Sequence, residues 1–273
     1  MTEQANTSKK HQQSTRFVSM RWRFISPLFI GVLIVAMGGA YLLARNFAGG
    51  LEVSQQNILL QNVRSIDERA DALYVYHRNE AQRVTFTVGF ADALRDGDTD
   101  QITQILETWL RSNGLDSLVA TDATGIEIMG VLRPSPEDED LTRSIGTDLS
   151  GQSLFTEAIN GEIGAAGYLT TPNGVMLYTA VPVTTDDEII GTVLIGQHLS
   201  QTLKDLQTSS TAHLALYGPD GSTLQSTFDA AEIREAIGIS DELFTQITTG
   251  SGQVPVQSLE LTDVPYQSAY STF

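Results

Sequence analysis

The chain has 273 residues, with 16 basic and 33 acidic side chains for a net charge of −17, and no cysteine. Such acidity argues against nucleic acid or an anionic lipid surface as a partner of the bulk of the chain, and the lack of cysteine excludes disulfides and thiolate metal sites. The charge is unevenly divided: Lys9, Lys10, Arg16, Arg21 and Arg23 against Glu3 give +4 before Arg45, which leaves 11 basic and 32 acidic side chains in 45–273, a net of −21.

That division falls at an uncharged, apolar run of 21 residues, Phe24 to Ala44, bounded by Arg23 and Arg45. As a helix it would cover about 30 Å, the thickness of a bilayer's hydrocarbon core. The basic flank predicts a cytoplasmic amino terminus (1–23), a membrane helix (24–44) and an extracytoplasmic remainder. A cleaved signal peptide is the competing reading. It is disfavoured because its apolar core is usually about 7–15 residues and no clean small-x-small site closes this run.

After the span, Leu59, Val63, Ile66, Ala70, Leu73, His77, Ala81, Val84, Val88 and Ala91 recur at steps of three and four, one face of a helix. The first strong stop is Arg95-Asp96-Gly97-Asp98. The pattern predicts a long helix with a stripe wide enough to serve both its own domain and a parallel partner copy. A shorter helix is predicted from Asp100 to Ser112, ended by Asn113-Gly114. The period then becomes that of strands. Leu115 to Thr121 and Ile126 to Leu132 flank the turn Asp122-Ala123-Thr124-Gly125, a hairpin. The segment from Arg133 to Asp140 holds two prolines and four consecutive acids and reads as a surface loop. A short helix from Gly151 to Asn160 precedes three strands, Gly164 to Thr171, Val175 to Val183 and Ile189 to Gln197, joined by tight turns. Helices followed by a hairpin, a helix and a meander predict an α+β unit on one continuous five-stranded antiparallel sheet.

A helical link from Leu199 to Ser209 leads to a second round: strands His213 to Tyr217 and Ser222 to Thr227, helices near Ala230 to Ile237 and Asp241 to Thr248, and strands near Gln253 to Leu261 and Tyr266 to Phe273. The turns Thr121-Asp122-Ala123-Thr124-Gly125 and Tyr217-Gly218-Pro219-Asp220-Gly221 form a weak repeat, which suggests two copies of one sheet unit. The second copy is expected to be incomplete, with 45–198 forming the long helix and membrane-distal module and 199–273 the membrane-proximal one. A fragment or truncated product is the expectation.

Tyr178-Thr179-Ala180-Val181-Pro182-Val183, a short acidic turn, and Ile189-Ile190-Gly191-Thr192-Val193-Leu194-Ile195-Gly196 resemble the end of a Cache module, an extracytoplasmic PAS-like sensor domain. The Asp122-to-Gly125 hairpin and the Gly146-to-Ser150 lead into a helix are also similar to it. With the anchor and long helix, residues 25–273 resemble the double-Cache ectodomains of bacterial transmembrane receptors. Pro182 lacks an N–H, so its strand should be bulged or at an edge there, and Gly191 and Gly196 should allow close backbone approach.

The resemblance implies a small-molecule ligand held between sheet and loops. The candidate ligand-binding residues are Arg133, Phe155, Tyr168 and Tyr178: Arg can grip a carboxylate with two hydrogen bonds, and aromatic rings can enclose an apolar or cationic group. Amino-acid-binding members show an Arg-x-Trp-Tyr-like stretch; Ser153-Leu154-Phe155 stands in the comparable helix here and departs from it. A calcium loop is suggested by Asp96, Asp98, Asp100 and Glu107, but Gln101 occupies the position where the sharp turn needs Gly. An N-cap at Asp98 or Asp100 is the preferred reading. Beyond the span only His77, His198 and His213 are available, none at zinc spacing, and there is no nucleophile elbow or nucleotide-binding glycine loop. No catalysis, cofactor or metal is expected. The function expected is ligand sensing by a membrane receptor whose output domain lies outside these residues; the alternative is a membrane-anchored protein-interaction module.

Overall fold

The computed structural model describes residues 20–208, 210, 212–230, 233, 236–249, 255–261 and 264–272, with side chains before Ser54 described only at Met37 and Tyr41. The chain divides into two compact units, 1–55 and 56–273. Helix α1 is Met20–Thr85. The side chains of the expected span Phe24 to Ala44 lie outside those described apart from Met37 and Tyr41. Among the described residues no helix is long and apolar enough to cross a membrane.

The second unit holds the fold. Helix α1 stops at Thr85, and a turn leads to α2 (Phe90–Asp96) and α3 (Thr99–Asn113). The sequence pattern had carried the long helix past this point. Gly89 breaks it, with a left-handed φ of 80° that a side chain would strain, and Val88 is left 96% exposed instead of on the apolar stripe. Gly97 and Gly114, both left-handed, end α2 and α3.

Strands β1 (Ser117–Asp122), β2 (Glu127–Leu132), β3 (Thr142–Ser144), β4 (Ala165–Thr171), β5 (Gly174–Thr185) and β6 (Glu188–His198) form one antiparallel sheet in the order β3-β2-β1-β6-β5-β4. The expected five-stranded layer is present, and a sixth strand joins it. β3 falls just after the acidic loop. Its three side chains are all exposed, so it carries no apolar alternation, and only backbone pairing to Gly130–Leu132 makes it a strand.

The sheet has two covered faces. Leu118, Ala120, Met129, Val131, Val181, Val183, Val193 and Ile195 pack with Val84, Phe90, Leu94, Ile102, Leu106 and Leu110 from α1, α2 and α3. On the opposite face Val119, Met176, Tyr178, Ala180 and Leu194 pack with Leu149 and with Leu154 and Ala158 of α4 (Ser153–Ile159). Covering both faces removes the clean apolar-polar alternation of a one-sided sheet. Pro182 sits where predicted: β4 pairing ends at Ala165 opposite Ala180, so beyond it β5 has a neighbour on one side only, and a bulge follows at Val183/Thr184. Gly191 lies so close to β1 that a Cβ would meet the Thr121 carbonyl oxygen at 2.1 Å.

Helix α5 (Leu199–Gln207) leads to the hairpin β7 (Ala215–Tyr217) and β8 (Thr223–Ser226), helix α6 (Asp241–Thr249), and the hairpin β9 (Val256–Leu261) and β10 (Val264–Ala269). The helix expected near Ala230 to Ile237 lies mostly outside the described residues. Asp122, Asp148 and Asp220 each fold a turn in the same way: Oδ1 accepts from the N–H and hydroxyl two residues on, Thr124, Ser150 and Ser222 respectively. Those bonds hold all three carboxyls below the usual carboxylate range.

Candidate functional site

The α4 face of the large sheet carries two rows of polar side chains with apolar ones between them. In the first row Tyr178, Gly196, Ser117 and Leu132 are successive cross-strand partners on β5, β6, β1 and β2. The Tyr178 hydroxyl lies 2.9 Å from the Ser117 hydroxyl, and both residues are buried. Burial above all pushes the phenol up to about 12, so Tyr178 is neutral over the whole physiological range. Its ring occupies the space above residue 196, where a Cβ would stand 2.4 Å from Cε1.

The second row is Thr192, Thr121 and Glu127. The two threonine hydroxyls are 2.7 Å apart and both residues are fully buried. Glu127 is 3% exposed. Its carboxylate accepts from the Ser144 hydroxyl at 2.5 Å and from the Thr147 N–H at 3.1 Å. Strict alternation along β2 would send Glu127 to the α3 face with Met129 and Val131. A bulge at Ile128 resets the register, with Ala120 opposite Met129 but Thr121 opposite Glu127. That one extra residue delivers a carboxylate to the α4 face. Val119, Leu194 and Ala180 fill the space between the rows, and α4 with the segment 145–152 covers it.

The four residues expected from the sequence are not gathered in one place. Tyr178 is central to the first row. Phe155 is buried on α4 beside the β1–β2 turn, where a Cβ on Gly125 would meet its Cε1 at 2.9 Å. Tyr168 pairs with Leu177, one residue out of step with Tyr178, whereas its neighbour Leu169 packs on the α4 face; Tyr168 therefore points to the other side. Arg133 lies just past the end of β2, bound into a corner. Its N–H donates to the Asp116 carbonyl at 2.7 Å, its guanidinium is 3.7 Å from the Asp116 carboxylate, and its carbonyl is 2.9 Å from His198 Nε2. With Arg111, Pro136, Glu137, Asp138 and Glu139 it lines a surface hollow of about 320 Å³.

Sequence reasoning missed Ser117, Thr121, Thr192 and Glu127. In single file Ser117, Val119 and Thr121 read as an ordinary strand, and nothing local marks their face as covered. Asp98 takes the role preferred from the sequence: it caps α3, accepting from Gln101 N–H at 3.0 Å, while Glu107 pairs with Arg143.

A family model, the double sensory domain of two-component sensor kinases (dCache_3), matches residues 52–269. The chain belongs to that family. No curated protein shows significant similarity to this sequence. The fold is shared with solved sensor domains. The ligand-binding domain of the Campylobacter jejuni chemoreceptor Tlp3, solved in complex with 4-methylisoleucine, matches with a TM-score of 0.55 at 11% identity, over 78% of this chain and 82% of that one. The sensor domain of the V. cholerae histidine kinase DctB matches with 0.53 at 16% identity, over 71% and 76%. The extracellular domain soHK1S-Z6 matches with 0.57 at 15% identity, over 82% and 91%. The double Cache architecture expected from the sequence is thereby confirmed, and with it the sensory role of the domain.

Proposed function

We propose that the first module of this sensory domain binds a small molecule between α4 and the sheet face bearing Ser117, Thr121, Tyr178 and Thr192, and that binding is passed to α1. The observation that carries this reading is the Ser117–Tyr178 hydrogen bond, which belongs to a set of polar groups buried on a covered face where packing alone calls for apolar ones. Tyr178 and Phe155 belong to the proposed site; Arg133 and Tyr168 are proposed only as supports of its frame. The Tlp3 domain, described in complex with 4-methylisoleucine, isoleucine and valine, supports the size of ligand such a fold accepts.

Transmission would use β6. Gly196 lies under Tyr178, and the next residue, Gln197, faces His77 of α1 and donates to Asp205 of α5 at 3.4 Å. Arg69 of α1 in turn donates to the Asp205 carbonyl and the Thr208 hydroxyl. A ligand that favours one arrangement of this junction shifts α1 by the difference in its affinity for the two states. We further propose that Phe24 to Ala44 spans the bilayer with the amino terminus inside, and that two copies pair in parallel along α1, where Ile58, Val75 and Tyr76 are exposed.

A thermal-shift screen of a small-molecule library on the full chain tests the proposal. At least one compound should raise the melting temperature, and Ser117→Val and Tyr178→Phe should each reduce that shift. Binding that neither variant alters would place the ligand elsewhere.

A further inference from the structure

We infer that Glu127 is the cation-recognising group of the α4 face, and that the ligand held there carries a positively charged nitrogen. This rests on the ligand-binding reading above and narrows it to a chemical class.

The carboxylate of Glu127 is buried with two hydrogen bonds, although two oxygens can accept about four. Both donors, a hydroxyl and a backbone N–H, are neutral. Among the described residues no ion pair includes it; Arg143, the basic residue next to Ser144, is committed to Glu107. The polar neighbours on its own face, Ser117, Thr121, Tyr178 and Thr192, are all uncharged. A buried carboxylate without a counter-charge is costly, and folded proteins supply one as a rule.

Two local features show that the carboxylate is accommodated and not merely trapped. The bulge at Ile128 turns it to this face, and Gly130 makes room for it: a Cβ there would meet Oε1 at 2.0 Å. The groups now bonded to it belong to the strip Thr142–Asp148, whose side chains are exposed, including Ile145 at 66%. That strip is an outer edge of the sheet, held to 125–132 by the backbone bonds Gly146 N–H to Glu127 carbonyl and Glu127 N–H to Thr147 carbonyl, the Ile126–Asp148 bridge, the β3 ladder and the Thr142 hydroxyl on the Leu132 carbonyl, and to α3 by the exposed Arg143–Glu107 pair. Lifting it uncovers the carboxylate together with the apolar floor of Val119 and Leu194. An ammonium group can then take the place of the two neutral donors and supply the missing charge.

The test uses the full 273-residue chain in detergent micelles. Isoleucine, ethanolamine and cadaverine are titrated beside their N-acetyl derivatives, with succinate and glucose as comparators. At least one amine should bind, its acetylated form at least tenfold more weakly, and Glu127→Gln should weaken the amine by a similar factor. Unliganded Glu127→Gln should melt within about 2 °C of the parent or above it, since it removes an uncompensated charge. Glu127→Asp, which keeps the charge, should retain more of the amine affinity than Glu127→Gln. Equal binding of amine and acetylated forms, an unaffected Glu127→Gln, or a fall in its melting temperature beyond about 4 °C overturns the inference. Succinate or glucose binding that Val119→Trp abolishes, without amine binding, overturns it while sparing the ligand site. No binding by any probe overturns it too, and the library screen then decides the broader reading separately.

Discussion

The ring of Tyr178 lies where the side chain of residue 196 would stand. The two are cross-strand partners, and a Cβ at 196 would come within 2.4 Å of the ring. Glycine at 196 is thus what allows the phenol to lie flat over β6 and reach Ser117. Gly196→Ala should force the ring aside, break the Ser117 bond and destabilise the domain by about 1–3 kcal/mol, as overpacking does. Urea denaturation measures the loss. A substitution within 0.5 kcal/mol of the parent would mean the ring has another place to go.

Tyr178→Phe keeps the ring and removes the hydroxyl. It should cost roughly 1 kcal/mol, because Ser117 loses its buried partner. The phenol also sets a pH limit. Its folded-state pKa, about 12, lies above the ordinary 10, so folding favours the neutral form. The contribution is fully present below pH 10 and is lost as pH rises from 10 towards 12. Ultraviolet titration should show Tyr178 ionising late together with Tyr217, whose phenol is also pushed up by burial, and the late amplitude should fall by one tyrosine in Tyr178→Phe.

His77 sets the opposite limit. It is 2% exposed on α1, its Nδ1 makes no hydrogen bond among the described residues, and burial lowers its pKa from 6.5 to about 4, with Gln197 beside it pulling the other way. The fold favours the neutral ring. Its stabilisation is complete above pH 6.5 and is lost as pH falls from 6.5 towards 4, by roughly 3 kcal/mol at full extent. His77→Leu should flatten the pH dependence of stability in that window. An unchanged acid limb would show that the ring is not buried in solution.

Asp98 is an N-cap. Asp98→Ala should destabilise by about 1 kcal/mol. Calcium, compared with a chelator control, should leave the melting temperature of the parent unchanged, since Asp98 is engaged with Gln101 and Glu107 with Arg143.

The parts of this fold that were legible in the sequence are those with a local cause. The Asp122-to-Gly125 turn is written in one side chain that accepts three hydrogen bonds, from Thr124 N–H, Thr124 hydroxyl and Ile126 N–H. The three meander strands follow from apolar runs between tight turns, and Pro182 marks where β4 stops covering β5. What was not legible had causes elsewhere in the chain. β3 is a strand only because β2 offers it an edge. The end of α1 at Thr85 depends on one glycine among residues that all fit a helix. The site suffered most. Tyr178 and Phe155, which the proposed site retains, were legible as candidates because aromatic residues stand out in any strand or helix. Glu127 was not legible, because its face is set by a bulge one residue away, and strict alternation would assign it to the other side. Arg133 was a candidate because an Arg can grip a carboxylate, but its partners in the structure, Asp116 and His198, lie 17 and 65 residues away in sequence.

The central claim is that a small molecule sits on the α4 face of the first sheet. Hydrogen exchange with mass spectrometry, run on the full chain with and without a compound from the screen, tests it most directly. The account predicts slowed exchange in 117–121, 144–150 and 192–197, with α1 around His77 responding to a smaller degree. Protection confined to 213–272, or to the hollow lined by Arg111 and Glu137–Glu139, would contradict it.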